Sequence, residues 1–158
     1  MARPLRNSDP KHILGPTRTF FVTTKTSMGQ RLFQSERNAM LLVDVMRSCV
    51  ASKKFLIHDF VVMPDHIHLL VTVHDDMTIE KAMQLIKGTF SYRLKNEHNY
   101  LGEVWQRGFS ESRAYDAQAI ASYREYIAQN PLKAGLPHAI GEYPYCYCYL
   151  ASKKMSRL

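Results

Sequence analysis

The hydrophobic pattern of the chain changes period several times, and each change predicts an element. Thr17 to Lys25 (Thr-Arg-Thr-Phe-Phe-Val-Thr-Thr-Lys) is filled with β-branched and aromatic residues and predicts a strand. A loop around Gly29 follows, and Ser35 is placed to cap a helix running to about Ser52. Met40, Leu41, Val43, Val45 and Cys49 form its apolar side, with Cys49 acting as a small buried hydrophobe. Two dense apolar runs between Phe55 and Val73 are separated by a Met63-Pro64-Asp65 turn, which predicts a hairpin. Thr78 should cap a second helix over 79–97, with Ala82, Leu85, Ile86 and Phe90 facing the core. After a polar loop, Val104 to Phe109 predicts another strand, with Trp105 in the core and Gly108 marking a bulge or a close backbone approach. Asp116 should cap a last helix through Ala119, Ile120, Tyr123 and Ile127. Pro131 disfavours helical geometry at Asn130, so that helix is expected to end or turn there.

The resulting order, β-α-β-β-α-β-α, begins with the six elements of a split βαβ unit. The expected class is α+β: a ferredoxin-like antiparallel sheet with helices on one face. The extra C-terminal helix is then free to lie across the sheet. The chain divides into a basic arm (1–16), one domain (17–150) and a basic tail (151–158).

Composition narrows the function class. A chain of 158 residues suits one hydrophobic core, and 46% hydrophobic content excludes a disordered tail. The formal net charge of +7 favours a polyanionic partner, nucleic acid foremost, although a soluble basic protein has the same charge. Arg3, Arg6 and Lys11 in the arm suit a solvated tail first and phosphate contact second. No apolar run approaches the roughly 20 residues of a membrane span, and no apolar stretch follows the basic N-terminus as in a secretory signal. Three cysteines do not make a disulfide framework, so a reducing cytoplasm is expected. Cys146-x-Cys148 is spaced too closely for a zinc ribbon and has no second cysteine pair.

Two constellations carry chemistry. In His66-Ile67-His68 the imidazoles point to one face of a strand and Ile67 to the other. Such a pair can ligate a metal, or it can be two polar residues on a half-exposed face. Tyr126 and Asn130 lie four apart on one helical face. Their phenol and amide could converge on a metal held by the histidines; the helix alone favours Tyr126 packing on the sheet with Asn130 capping the helix. Lys87, Arg93 and Lys95 remain on the outer sides of the second helix. With Arg107 and Arg113 they are candidate phosphate contacts, although a solvated face accounts for them as well.

Pro64-Asp65-His66-Ile67-His68, Trp105-Gln106-Arg107-Gly108-Phe109 and Tyr126-Ile127-x-x-Asn130-Pro131-Leu132-Lys133-Ala134-Gly135 occur together and in this order. Together they resemble the single-tyrosine HUH transposases of the insertion-sequence 200-like group, above all the REP-associated tyrosine transposases. The resemblance covers about residues 17–150. It implies a divalent metal, Mg2+ or Mn2+, on His66, His68 and Asn130, and it implies Tyr126 as nucleophile, with Tyr123 one turn earlier as the competing phenol. It implies cleavage and rejoining of single-stranded or hairpin DNA through a 5′-phosphotyrosine, by a monomer or a homodimer. Imidazole ligands favour manganese over magnesium. No G-x-x-x-x-G-K-[ST] loop is present, in keeping with a transfer that keeps its bond energy in the covalent intermediate. The chain departs from the group at Pro144-Tyr-Cys-Tyr-Cys148, where members often carry Pro-Trp-Ser-Ser. Two other readings fit the same residues. One is a non-catalytic nucleic-acid-binding protein of the same fold. The other is a small metallohydrolase that activates water on the histidines, for which no paired carboxylate stands at the motif.

Overall fold

The computed structural model describes residues 17–52, 55–136 and 143–152. The basic arm at 1–16 and most of the tail at 151–158 lie outside them. The elements are β1 (Thr17–Lys25), α1 (Glu36–Ala51), β2 (Phe55–Met63), β3 (His66–His74), α2 (Ile79–His98), β4 (Ser110–Ala114), α3 (Ala117–Lys133) and α4 (Tyr147–Ser152). The strands form one antiparallel sheet in the order β2-β3-β1-β4. This is the ferredoxin-like arrangement that the element order predicts. All three expected helix caps are present: Ser35 accepts from the Asn38 N–H, Thr78 from that of Lys81 and Asp116 from that of Ala119.

Alternation sorts the sheet into two faces. Phe20 and Val22 of β1 join Ile67, Leu69, Val71 and Val73 of β3 in one core, sealed by α1 and α2. The opposite face carries Phe21, Thr23 and Lys25 of β1 together with His66, His68, Leu70 and Thr72 of β3, and α3 crosses it. A bulge between Ile57 and Asp59 lets β2 serve both faces. Phe55, Ile57, Phe60 and Val62 belong to the first core, and Val61 and Met63 to the second.

The structure departs from expectation in three places. The last strand is Ser110–Ala114 rather than 104–109. It is a short polar edge strand, so it carries almost no hydrophobic signal. Val104 to Phe109 instead runs irregularly beside the end of β1, held by Gln106 N–H donating to the Lys25 carbonyl at 2.8 Å and by an isolated bridge between Trp105 and Thr26. Trp105 packs against the first core as expected. In α2, Leu85 is exposed, and Met83 and Leu94 are buried in its stead. Helix α3 runs through Pro131 to Lys133. Pro131 lacks a donor and disfavours the helix at Asn130, but its ring is buried in the second core. The stop comes four residues later, at Gly135 with φ +82°. The aromatic run at 143–149 is held on the edge of the sheet. The Val62 N–H donates to the Tyr145 carbonyl at 2.8 Å and the Tyr143 hydroxyl donates to the Val62 carbonyl at 2.8 Å. The tail thus covers the free edge of β2 before α4 delivers Leu150 to the first core.

Candidate metal and nucleophile site

The second face supplies a groove of about 730 Å³ where α3 passes over the ends of β1 and β3. Thr23, Lys25, Asp65, His66, His68, Gln106, Ser110, Tyr126, Asn130 and Lys133 are among its lining residues. The strand register places His68 opposite Thr23 and His66 opposite Lys25. The two imidazole centroids are 4.8 Å apart, with the rings tilted 77°. His66 Nδ1 is 2.7 Å from Asp65 Oδ1. A carboxylate only accepts, so this nitrogen carries the hydrogen. His68 Nδ1 is engaged at 2.8 Å by the Thr23 hydroxyl. Burial, then the neighbouring His66 and Lys25, pushes the His68 pKa down to about 4, so its ring is neutral at pH 7. Both imidazoles are oriented by a hydrogen bond at Nδ1, as metal-ligating histidines commonly are.

Tyr126 projects from α3 onto this pair. Its ring centroid is 5.4 Å from that of His68 and 5.6 Å from that of Phe21, and it is 42% exposed. Tyr123 is instead stacked flat on Phe21 at 4.5 Å and 4° and does not line the groove. Phe21 in turn stacks on His68 at 5.4 Å. One aromatic side chain of β1 therefore separates the two phenols, backing Tyr123 while leaving Tyr126 open to solvent. Asn130 follows one turn after Tyr126 and lines the same groove. Among the described residues no cluster of three or more His, Cys, Asp and Glu that could hold a metal forms here; the amides of Asn130 and Gln106 line the groove beside the histidine pair.

The predicted cations are distributed differently. Lys87 lies on α2, against the first core, and its amine donates to the carbonyls of Gln106 and Gly108 at 3.1 and 2.7 Å. Arg93 is tied to Asp44 at 2.8 Å and to Glu97 at 2.6 Å. Lys95 is exposed on the same helix. The Arg113 guanidinium lies 5.6 Å from the Phe20 ring and 4.9 Å from that of Tyr115, and its cross-strand partner Phe20 belongs to the first core. Arg107 is exposed beside the groove residue Gln106. The cations that line the groove are Lys25 and Lys133, the latter with Nζ 6.0 Å from the Tyr126 ring centre. Sequence reasoning passed over both. Lys133 was legible by spacing, since it falls seven residues after Tyr126 and three after Asn130 on one helical face.

Residues 21–130 match the family described as Transposase IS200 like. A Haemophilus influenzae protein named as a REP-associated tyrosine transposase is 31% identical over 94 residues. That match covers 53% of this chain, and the chain spans about half, 53%, of the relative's length. Among solved structures, a REP-associated tyrosine transposase bound to a REP hairpin aligns with a TM-score of 0.71 at 19% identity, over 89% of this chain and 82% of the other. A transposase-named protein of Deinococcus radiodurans aligns with a TM-score of 0.55 at 19% identity, over 70% and 88%. These two likenesses bear on fold alone; the family match spans both the histidine pair and the Tyr126–Asn130 helix. With its histidines, phenol and amide gathered in one groove, the chain belongs to the IS200-like transposase family.

Proposed function

We propose that this transposase is a metal-dependent transesterase of single-stranded DNA, with Tyr126 as nucleophile, His66, His68 and Asn130 as metal ligands, and a hairpin with a single-stranded flank as substrate. The observation that carries the reading is the placement of the Tyr126 ring 5.4 Å from His68, in the groove that His66 and Asn130 also line. A divalent metal on these donors would polarise a non-bridging phosphate oxygen and stabilise the charge that develops on it.

The remaining roles belong to the chain. Lys25 and Lys133 hold the phosphodiester against the groove wall by charge. The Tyr126 oxygen forms a bond to phosphorus as the bond from phosphorus to the 3′ oxygen breaks. The phenol proton passes to solvent, to which Tyr126 is open, and the departing 3′ oxygen takes one up. The product is a 5′-phosphotyrosine, which a free 3′-hydroxyl reverses by the same path. Phe21 fixes the height of Tyr126 over the histidines by edge contact.

A denaturing-gel assay with a labelled single-stranded hairpin library tests this. In manganese, wild type should form a covalent protein–DNA band that is lost in Tyr126→Phe and His66→Ala and retained in Tyr123→Phe. Magnesium should support less of it. Cleavage without any adduct that survives Tyr126→Phe would move the reaction to water and favour a hydrolase. Binding without cleavage across the library and both metals would leave a nucleic-acid-binding protein.

A further inference from the structure

We infer that Met28 is a wedge for a nucleobase: it stands at the rim of the groove and holds the base beside the reacting phosphodiester out of its stack. The inference rests on the proposed single-stranded DNA substrate and adds a positioning residue to it. Three observations converge on Met28.

The first is conformation. Met28 has φ 55° and ψ 28°, the left-handed region, and is followed by Gly29 at φ +68°. A side chain other than glycine or asparagine is disfavoured there by Cβ contact with the following carbonyl. The second is exposure. Met28 is 94% exposed, so no packing within the described chain offsets that conformation. The third is the rigidity of its mount. The Thr26 N–H donates to the Asp65 carbonyl at 3.0 Å, and the Thr26 hydroxyl donates to the Gln30 carbonyl at 2.6 Å. The Ser27 N–H donates to the Val104 carbonyl at 2.9 Å, and the Gln30 N–H closes the turn on the Ser27 carbonyl at 3.1 Å. Both flanks of Met28 are thereby tied to the loop before His66 and to the segment before Gln106, while the side chain itself touches nothing that would hold it.

An unfavourable conformation kept by surrounding bonds, with the side chain aimed into water, is an arrangement for presenting that side chain. Its surroundings say to what. Lys25, Thr26 and Gly29 of the same stretch line the groove of the histidines and Tyr126, so Met28 borders the place where a phosphodiester must lie. A base attached to that phosphate must turn outward, past the rim, for the backbone to seat in the groove. An unbranched, polarisable thioether fits against either face of any base, and apolar side chains of this kind serve as wedges between bases elsewhere. Gly29 beside it has open space around its Cβ position, which leaves room for the strand to pass.

Two variants separate presentation from folding. Met28→Ala keeps a Cβ in the left-handed conformation but removes the wedge. Met28→Gly removes the wedge and relieves the conformation as well. Melting temperature should be unchanged in Met28→Ala and raised in Met28→Gly. Both should lose about tenfold in apparent affinity for the library member that wild type cleaves best. With 2-aminopurine replacing each base in turn around the cleaved bond, wild type should brighten one position next to that bond, and both variants should leave it dim. Equal affinity and equal brightening in the variants, with wild type forming the adduct, would overturn the wedge and leave the proposed function standing. A wild type that forms no adduct and binds no member would remove the function, and the wedge with it.

Discussion

On the side of α1 and α2 the sheet is closed: Phe20, Phe33, Phe55, Phe60 and Phe90 are all essentially inaccessible there, and α2 alone buries Ile79, Ala82, Met83, Ile86, Phe90 and Leu94. On the other side, α3 buries only Ile127 and Pro131 over a smaller cluster of Val61, Met63 and Leu70, flanked by the partly buried rings of Phe21 and Tyr123 and by the histidines. Cations follow the same division. On the closed side Lys87 and Arg93 are spent on carbonyls and carboxylates, whereas on the open side Lys25 and Lys133 line the groove. Most of the domain's burial and the candidate site thus occupy opposite faces of one sheet. A helix that carries the proposed nucleophile can be lightly seated because the other face supplies most of the burial.

The largest effect that separates the faces should come from removing a ring from each. Phe90→Ala opens a cavity in the closed core and should lower the free energy of unfolding by about 3–5 kcal/mol. The fraction that remains folded should form adduct at the wild-type rate. Phe21→Ala, on the half-covered face, should cost less stability, yet it removes the ring that backs Tyr123, His68 and Tyr126. Urea titration and adduct formation measured on both variants check this. The division between faces breaks if Phe90→Ala damages the reaction more than it damages folding.

A smaller contrast lies between two lysines. Lys133→Ala should leave the melting temperature in place and flatten the dependence of single-strand affinity on salt by about 0.7 in log–log slope, the loss of one phosphate contact. Lys87→Ala takes a donor from the Gln106 and Gly108 carbonyls, the latter keeping the Thr24 hydroxyl at 3.4 Å. It should destabilise the fold by about 1 kcal/mol and leave the salt slope as it was. A lowered slope in Lys87→Ala would show that DNA also crosses the closed side.

That contrast also marks how far the residues could be read in advance. The strands and helices with a strong period were legible, and so were the caps Ser35, Thr78 and Asp116, because local chemistry decides them. Strand β4 was not, since Ser-Glu-Ser-Arg-Ala holds its place by backbone pairing to β1 and has no apolar pattern to read. The histidine pair and the Tyr126–Asn130 helix were legible as two faces; what brings them together is the packing of α3 on the sheet, which no spacing states. The cations failed for a related reason. Positive charge is visible in any sequence, but whether an ammonium finds a carbonyl, as Lys87 does, or a groove, as Lys133 does, is settled only by what the fold sets beside it. Met28 was read as part of a loop, and nothing in Ser-Met-Gly-Gln announces its left-handed backbone.

The smallest predicted effect concerns a charge buried on the open face. Asp59 sits in the β2 bulge, with Arg124 of α3 as its nearest opposing charge, His58 beside it on β2, and Cys146 and Cys148 lining the same small cavity. Burial raises its carboxyl from the usual 3.8 to about 6, against the opposing pull of the Phe60 N–H and of Arg124. Between those two values the native state binds more protons than the unfolded chain, so this carboxyl subtracts stability as pH rises through the window, with its full penalty above about 6. Asp59→Asn keeps an oxygen for the Phe60 N–H, which Asp59 Oδ1 accepts at 2.9 Å, and carries no charge. The variant should match wild type near pH 4 and exceed it by up to about 3 kcal/mol at pH 7. The depressed histidines, His58 and His68, weaken the fold as pH falls, but they do so in both proteins and cancel in the difference. Melting temperatures of the pair at pH 4, 5, 6 and 7 measure it. A constant difference across that range would mean that Arg124 already neutralises the carboxylate. The open face would then hold its buried charge as comfortably as the closed face holds Arg93.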